Sequence, residues 1–277
     1  MSRVSGQGLH TGARGAVSFE RRAGGVVLRA GAAEVAIDAL AVVDTTRSTT
    51  VASVDGAIRF ATVEHVLAAL AGLGIHEGVA VVIEGREAPL ADGGARQYAD
   101  ALATLGVAAT APRLRVARSG TVEVGGSRYE LRCNDADDVS IAVEVVVDFD
   151  RPGLAPTARW AGDAEDFRTR IAVARTFGFE REVEELLARG LASHVTPSSV
   201  VVIGDERILS SGAPFTADEP ARHKLLDLLG DLYLHGGPPI GTIRATRPGH
   251  AATHEAMRRA LAEGLVRRDL AIPGASV

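Results

Sequence analysis

The 277-residue chain has one cysteine and one lysine. With Cys133 alone, no internal disulfide can form, and a structural zinc site built from several cysteines is excluded. The chain also has no surplus of positive charge. Its formal net charge is −5, which argues against a general nucleic-acid binder, although a local basic patch around a small anion remains possible. No apolar run reaches the roughly 18 residues of a membrane-spanning helix. The opening "MSRVSGQGLHTG" has no apolar signal core, so the expectation is a cytoplasmic protein that does not span a membrane. There is no low-complexity tract and no long linker.

The other 29 of the 30 basic side chains are arginine. Such a bias fits GC-rich coding, in which lysine drifts to arginine wherever the exchange is harmless. The surviving Lys224 therefore hints at a place where a guanidinium does not serve. It lies in "RHKLLDLLGDLYL", beside His223.

Short β-like runs and turns alternate through the first part: "GVVLRA", "AEVAID" and "GVAVVIEG" (78–85). Between them "TVEHVLAALAGLG" (62–74) has helical spacing, with Thr62 as expected N-cap and Gly74 as stop. A second helix is expected over about 95–105. The stretch 106–116, with Pro112, marks a boundary between domains 1–110 and 111–277. The second part begins with the strands "RLRVA", "GTVEV", "SRYELRC" and "SIAVEVVVDFD". Helical patterns over about 163–174 and 180–190, a strand "SSVVVI" and a hairpin-like "GDERILS" come before the lysine helix. A strand "IGTIRAT" and a final helix "HAATHEAMRRALAEG" follow it. The pattern reads as α+β, with helices grouped on sheets in each half. His65 and His223 are each followed by Leu at two and five residues and Gly at seven, a faint trace of duplication that amphipathic helices also produce by accident.

At 100° per residue, His223, Asp227, Asp231 and Lys224 fall in one narrow polar stripe of the 222–234 helix, and its leucines fill most of the rest. Such a helix is mostly buried, and its polar groups need partners. His and Asp four residues apart can reach one ion from adjacent turns. A catalytic zinc wants three protein ligands and an open position, and "TVEH" offers His65 as the third, with Glu64 beside it as a proton acceptor. An H-x-x-x-D spacing is also common on helix surfaces. His250 in "RPGHAA" is a candidate acid/base group or an exposed helix-start histidine. Thr176 and Phe177 lie in the turn-like "ARTFGFERE", His10 in "GLHTG", and paired glycines in "EAPLADGGA" (87–95).

Taken together, "GLHTG", "TVEHVLAALAGLGI", "EAPLADGGA", "ARTFGFERE", "RHKLLDLLGDLYL" and "GHAATHEAMRRAL" resemble, in order and spacing, the UDP-3-O-acyl-N-acetylglucosamine deacetylase family, zinc amidases of lipid A synthesis. The resemblance implies two similar domains, each a sheet packed on helices, with the helices of both sandwiched between the sheets. It implies one zinc per chain, with Fe(II) possible, held by His65, His223 and Asp227. Glu64 would be the general base and His250 the general acid oriented by Asp231. Lys224 and Thr176 would stabilise the oxyanion, and Phe177, His10 and Leu9 would contact the substrate. The implied partner is an acylated UDP-sugar, and the implied oligomeric state is a monomer. Segments 151–163 and 192–203 depart from the family's pattern where it binds substrate. That leaves two alternatives: a paralogue acting on another N-acyl sugar, or an idle nucleotide-sugar or protein binder. The complete set of chemical residues speaks against the idle binder.

Overall fold

A computed structural model describes residues 3–149, 151–183 and 195–268. The first half runs β1 (Arg3–Gln7), β2 (Arg14–Gly25), β3 (Val27–Ala30), β4 (Ala33–Ala36), β5 (Ala41–Asp44), β6 (Thr50–Ala52), β7 (Arg59–Phe60), α1 (Glu64–Gly72), β8 (Glu77–Glu84) and α2 (Arg96–Leu105). The second half has β9 (Leu114–Val116), β10 (Gly120–Val124), β11 (Ser127–Arg132), β12 (Ile141–Val146) and β13 (Thr157–Trp160). A short helix, Ala164–Asp166, then runs into a π turn, Phe167–Ile171. After these come β14 (Thr176–Phe179), β15 (Val200–Ile203), β16 (Ile208–Leu209), α3 (Glu219–Tyr233), β17 (Gly241–Thr246), α4 (His250–Ala262) and β18 (Val266–Arg268).

Two five-stranded sheets have the same wiring. Their orders are β1-β2-β8-β3-β4 and β10-β11-β17-β12-β13. In each, the sheet's last strand in chain order inserts into its middle, antiparallel to the sheet's second strand and parallel to its third. A parallel neighbour cannot be reached by a hairpin, so each half needs a long crossover. That crossover carries α1 in one half and α3 in the other, each after a small three-stranded sheet: β5-β6-β7, or β14-β15-β16. The leucine and glycine echo between the two helices thus sits on a repeated topology.

Alternation explains the strands that are half-buried. Tyr129 and Leu131 of β11 face the core and their neighbours do not. The central strand β8 instead buries Val79, Ala80, Val81 and Ile83. Every residue of α1 is buried, and so is every residue of α3 except Lys224. The two helices touch at backbone distance: a Cβ on Gly230 would lie 2.0 Å from the carbonyl oxygen of Glu64. Only glycine permits that approach.

Two sequence expectations need correction. Thr62 does not cap α1: no side-chain cap bond forms there, and Thr62 has φ +57°. Its hydroxyl turns away from the helix to Glu87. The "ARTFGFERE" stretch is not merely a turn. Thr176–Phe179 is a strand, because β15 lies beside it in parallel register. The stop at Gly74 holds, with φ +65° and the Ile75 N–H returning to the Leu70 carbonyl. Of the helix expected over 180–190, residues 184–190 lie outside the described residues.

Candidate metal centre

His65 enters on the first turn of α1, and His223 and Asp227 on successive turns of α3. Their ligand atoms all lie within 4.8 Å of one another, the one such metal-ligand cluster among the described residues. Asp227 Oδ1 is 3.4 Å from His223 Nε2 and 3.7 Å from His65 Nε2. Two donors bound tetrahedrally at about 2.1 Å from one ion are themselves about 3.4 Å apart. The donor set of two imidazoles and one carboxylate therefore fits a divalent cation in both chemistry and spacing.

The surroundings settle which atoms are available. His223 Nδ1–H donates to the Ala174 carbonyl at 3.0 Å, which turns the Nε2 lone pair toward Asp227. Burial pushes the His223 imidazole down to about 4, with Lys224 and His65 adding to the fall, so it is neutral and able to ligate. His65 is equally buried. Asp227, Glu64 and Asp92 nevertheless raise its pKa above the usual histidine value. Asp227 Oδ2 accepts from Lys224 Nζ at 3.0 Å, leaving Oδ1 for the two histidines. Burial opposes its charge, but the Lys224 ammonium holds it well below the usual carboxylate range.

The Ala174 carbonyl has its own anchor. Arg175 and Glu219, both buried, form a forked pair at 2.8 and 3.0 Å across the start of α3. The Arg175 N–H also donates to Glu219. Residues 174–176 are thereby pinned against the helix that carries His223.

Glu64 is 3% exposed and lies outside the ligand cluster. Burial raises its pKa, against the pull of His250 and His65. Its Oε2 accepts the Thr49 N–H at 3.0 Å. Thr49 Oγ1 donates to Asp231 Oδ1 at 2.6 Å, so one residue ties both carboxylates. Asp231 Oδ2 meets His250 Nδ1 at 2.8 Å, with His250 the first residue of α4. Burial lowers the His250 pKa, but Asp231 more than reverses this and brings it to about 10.

Phe177 packs on this site. Its ring centroid is 6.2 Å from that of His223, and Lys224 Nζ lies 5.8 Å from the Phe177 ring. Thr176 is held by its N–H to the Gly93 carbonyl, two residues beyond Ala174. His10 meets Glu87: its N–H and Nδ1 approach Oε1 at 2.8 and 3.0 Å. Burial pushes Glu87 up, yet bonds from His10 and Thr11 bring it down to about 2. Leu9 stands half-buried in the same turn.

A family model, LpxC, described as UDP-3-O-acyl N-acetylglycosamine deacetylase, matches residues 1–262. The chain belongs to the LpxC family. Among its LpxC relatives, the UDP-3-O-acyl-N-acetylglucosamine deacetylase of Myxococcus xanthus is 36% identical over 94% of this chain and 84% of its own. The deacetylase of an Anaeromyxobacter species is 38% identical over 80% and 72%. That of Brucella ovis is 37% identical over 74% and 72%. As in the sequence reading, no helix among the described residues of this LpxC chain is long and apolar enough to cross a membrane. Thr49, the Ala174 carbonyl, Arg175, Glu219, His254 and His235 escaped that reading. Ala174 and Arg175 lie within "ARTFGFERE" and His254 within "GHAATHEAMRRAL", but all six become partners of the site only through contacts between distant segments.

Proposed function

We propose that this chain removes the N-acetyl group of UDP-3-O-acyl-N-acetylglucosamine by hydrolysis, releasing acetate, in lipid A biosynthesis. The observation that carries the reading is the convergence of His65, His223 and Asp227 within 4.8 Å in a chain matched almost end to end by this deacetylase family. The proposed cofactor is one zinc per chain; the same ligand types also suit Fe(II). When bound, such a cation polarises the amide carbonyl and lowers the pKa of a water toward neutrality.

The chain's own residues supply the rest. Glu64, raised by burial and adjacent to His65, takes the proton of the attacking water. His250, kept protonated by Asp231, delivers a proton to the leaving amine. The Lys224 ammonium and the Thr176 hydroxyl face the developing oxyanion, donors of a kind worth about 3–4 kcal/mol each. Phe177, packed on His223, lines the sugar. Leu9 and His10 contact substrate from a turn held rigid by Glu87. Lys224 replaced by arginine would bring a broad planar fork to a place that suits a compact ammonium.

The domains proposed are 1–110 and 111–277, with the helices of both between the two sheets. The repeated sheet order and the backbone contact of α3 with α1 support that division. The proposed setting is a monomer in the cytoplasm.

The test measures acetate release by the zinc-loaded enzyme from the acylated UDP-sugar and from its unacylated counterpart. Turnover with the acylated substrate, lost on chelation and restored by one equivalent of zinc, is the expected result. Preference for the unacylated sugar, or turnover indifferent to chelation, overturns the reading.

A further inference from the structure

Asp231 is 2% exposed, and three side chains besides that of His250 bear on how it is held. Thr49 Oγ1 lies 2.6 Å from its Oδ1. His254 Nε2 lies 3.3 Å from the same oxygen and 3.3 Å from Thr49 Oγ1. Behind His254, its Nδ1 is 3.0 Å from His235 Nε2, with the rings 5.2 Å apart at 44°.

The proton positions follow from what each atom can do. A carboxylate oxygen only accepts. The single hydroxyl proton of Thr49 is spent on Asp231, so toward His254 the threonine oxygen is an acceptor too. Both atoms facing His254 Nε2 are therefore acceptors, and Nε2 must carry hydrogen. Behind it, His254 Nδ1 and His235 Nε2 are close enough to share one hydrogen. Burial pushes His235 down to about 4, so it stays neutral. Donation therefore runs from His254 to Asp231. Oδ1 is filled by two donors, and only Oδ2 remains for His250.

We infer that His254, backed by His235, is a positioning residue: it fixes the plane of the Asp231 carboxylate so that Oδ2 meets His250 Nδ1. Thr49 comes from just before β6, Asp231 from α3 and His254 from α4, so the clamp also locks three elements together. The charged groups around it are Asp231 on α3, Arg268 on β18 beyond His235, and Glu64, Asp227 and Asp231 around His250. This inference rests on the proposed deacetylation for its kinetic arm alone.

The experiment compares His254→Gln with His254→Met in the zinc-loaded enzyme. Glutamine can place an amide N–H where Nε2 stood; methionine fills similar space with no donor. The expected result is a kcat about 10–100-fold lower for H254M, with KM little changed, the scale typical of losing a supporting partner. H254Q stays within about threefold of wild type, and His235→Leu falls between the two. Equal kcat for H254Q and H254M overturns the inference. A second readout needs no activity. A nitrogen-edited proton spectrum of the zinc-loaded wild type should show a downfield, slowly exchanging imidazole N–H that disappears in H254Q. Its absence also overturns the inference. A wild type inactive on the UDP-sugar but showing that resonance sinks only the substrate reading.

Discussion

Replacing Gly230 with alanine tests the link between helix packing and the metal centre. The added Cβ would stand 2.0 Å from the Glu64 carbonyl oxygen, 2.7 Å from its carbon and 2.9 Å from its Cα. These are backbone atoms and cannot swing aside. Because real Cβ contacts essentially never fall below 3.0 Å, the gap must open from 2.0 to 3.0 Å, or about 1.0 Å. Alanine gains about 1 kcal/mol over glycine in helix propensity. Overpacking typically costs about 1–3 kcal/mol, and a clash with unyielding backbone belongs at the upper end. The steric cost therefore wins, by about 2 kcal/mol, which lowers Tm by roughly 2–4 °C per kcal/mol. The same opening draws His65 on α1 away from His223 and Asp227 on α3. Ligand distances tolerate only about 0.2 Å, so metal affinity should fall at least about tenfold. Calorimetry on chelated protein and competitive zinc titration measure the two effects. Gly126→Ala, where nothing lies within 4 Å, is the control. If Gly230→Ala matches that control in both Tm and zinc affinity, the reasoning fails.

Three further perturbations follow from the same geometry. Arg175→Met strands Glu219 in a buried site and should cost about 3–5 kcal/mol in urea unfolding, much of it recovered by adding Glu219→Leu; a double variant no more stable than the single contradicts this. His250 has a folded pKa of about 10, raised from an unfolded value of about 6.5. Its stabilising contribution is thus complete below pH about 6.5 and disappears as pH rises through about 10. Asp231→Asn should flatten stability across that window and move the basic limb of kcat/KM down toward pH 7; an unmoved limb rules out Asp231 as the cause. Lys224→Arg should reduce acetate release well below wild type, whereas full turnover would show that the lone lysine has no chemical reason.

The sequence by itself determined what is local. An i, i+4 repeat is enough to put His223 and Asp227 on one face, and the leucines around them make that face a buried one. Adjacent Glu64 and His65 likewise carry their chemistry in two letters, and Gly74 ends its helix wherever the helix goes. The tertiary structure decided everything that depends on which distant segments meet. The stretch at 176–179 is four residues with a glycine inside, too short for its alternating phenylalanines to mark a strand, and becomes one because β15 offers a parallel edge. Thr62 looks like a cap in sequence, yet the carboxylate of Glu87 draws its hydroxyl elsewhere. The tautomer of His223 depends on a carbonyl at Ala174, and the aim of Asp231 on Thr49 and His254. Hydrogen bonds of this kind are set by pairing between sheets and helices far apart in the chain, and no periodicity along the chain encodes them.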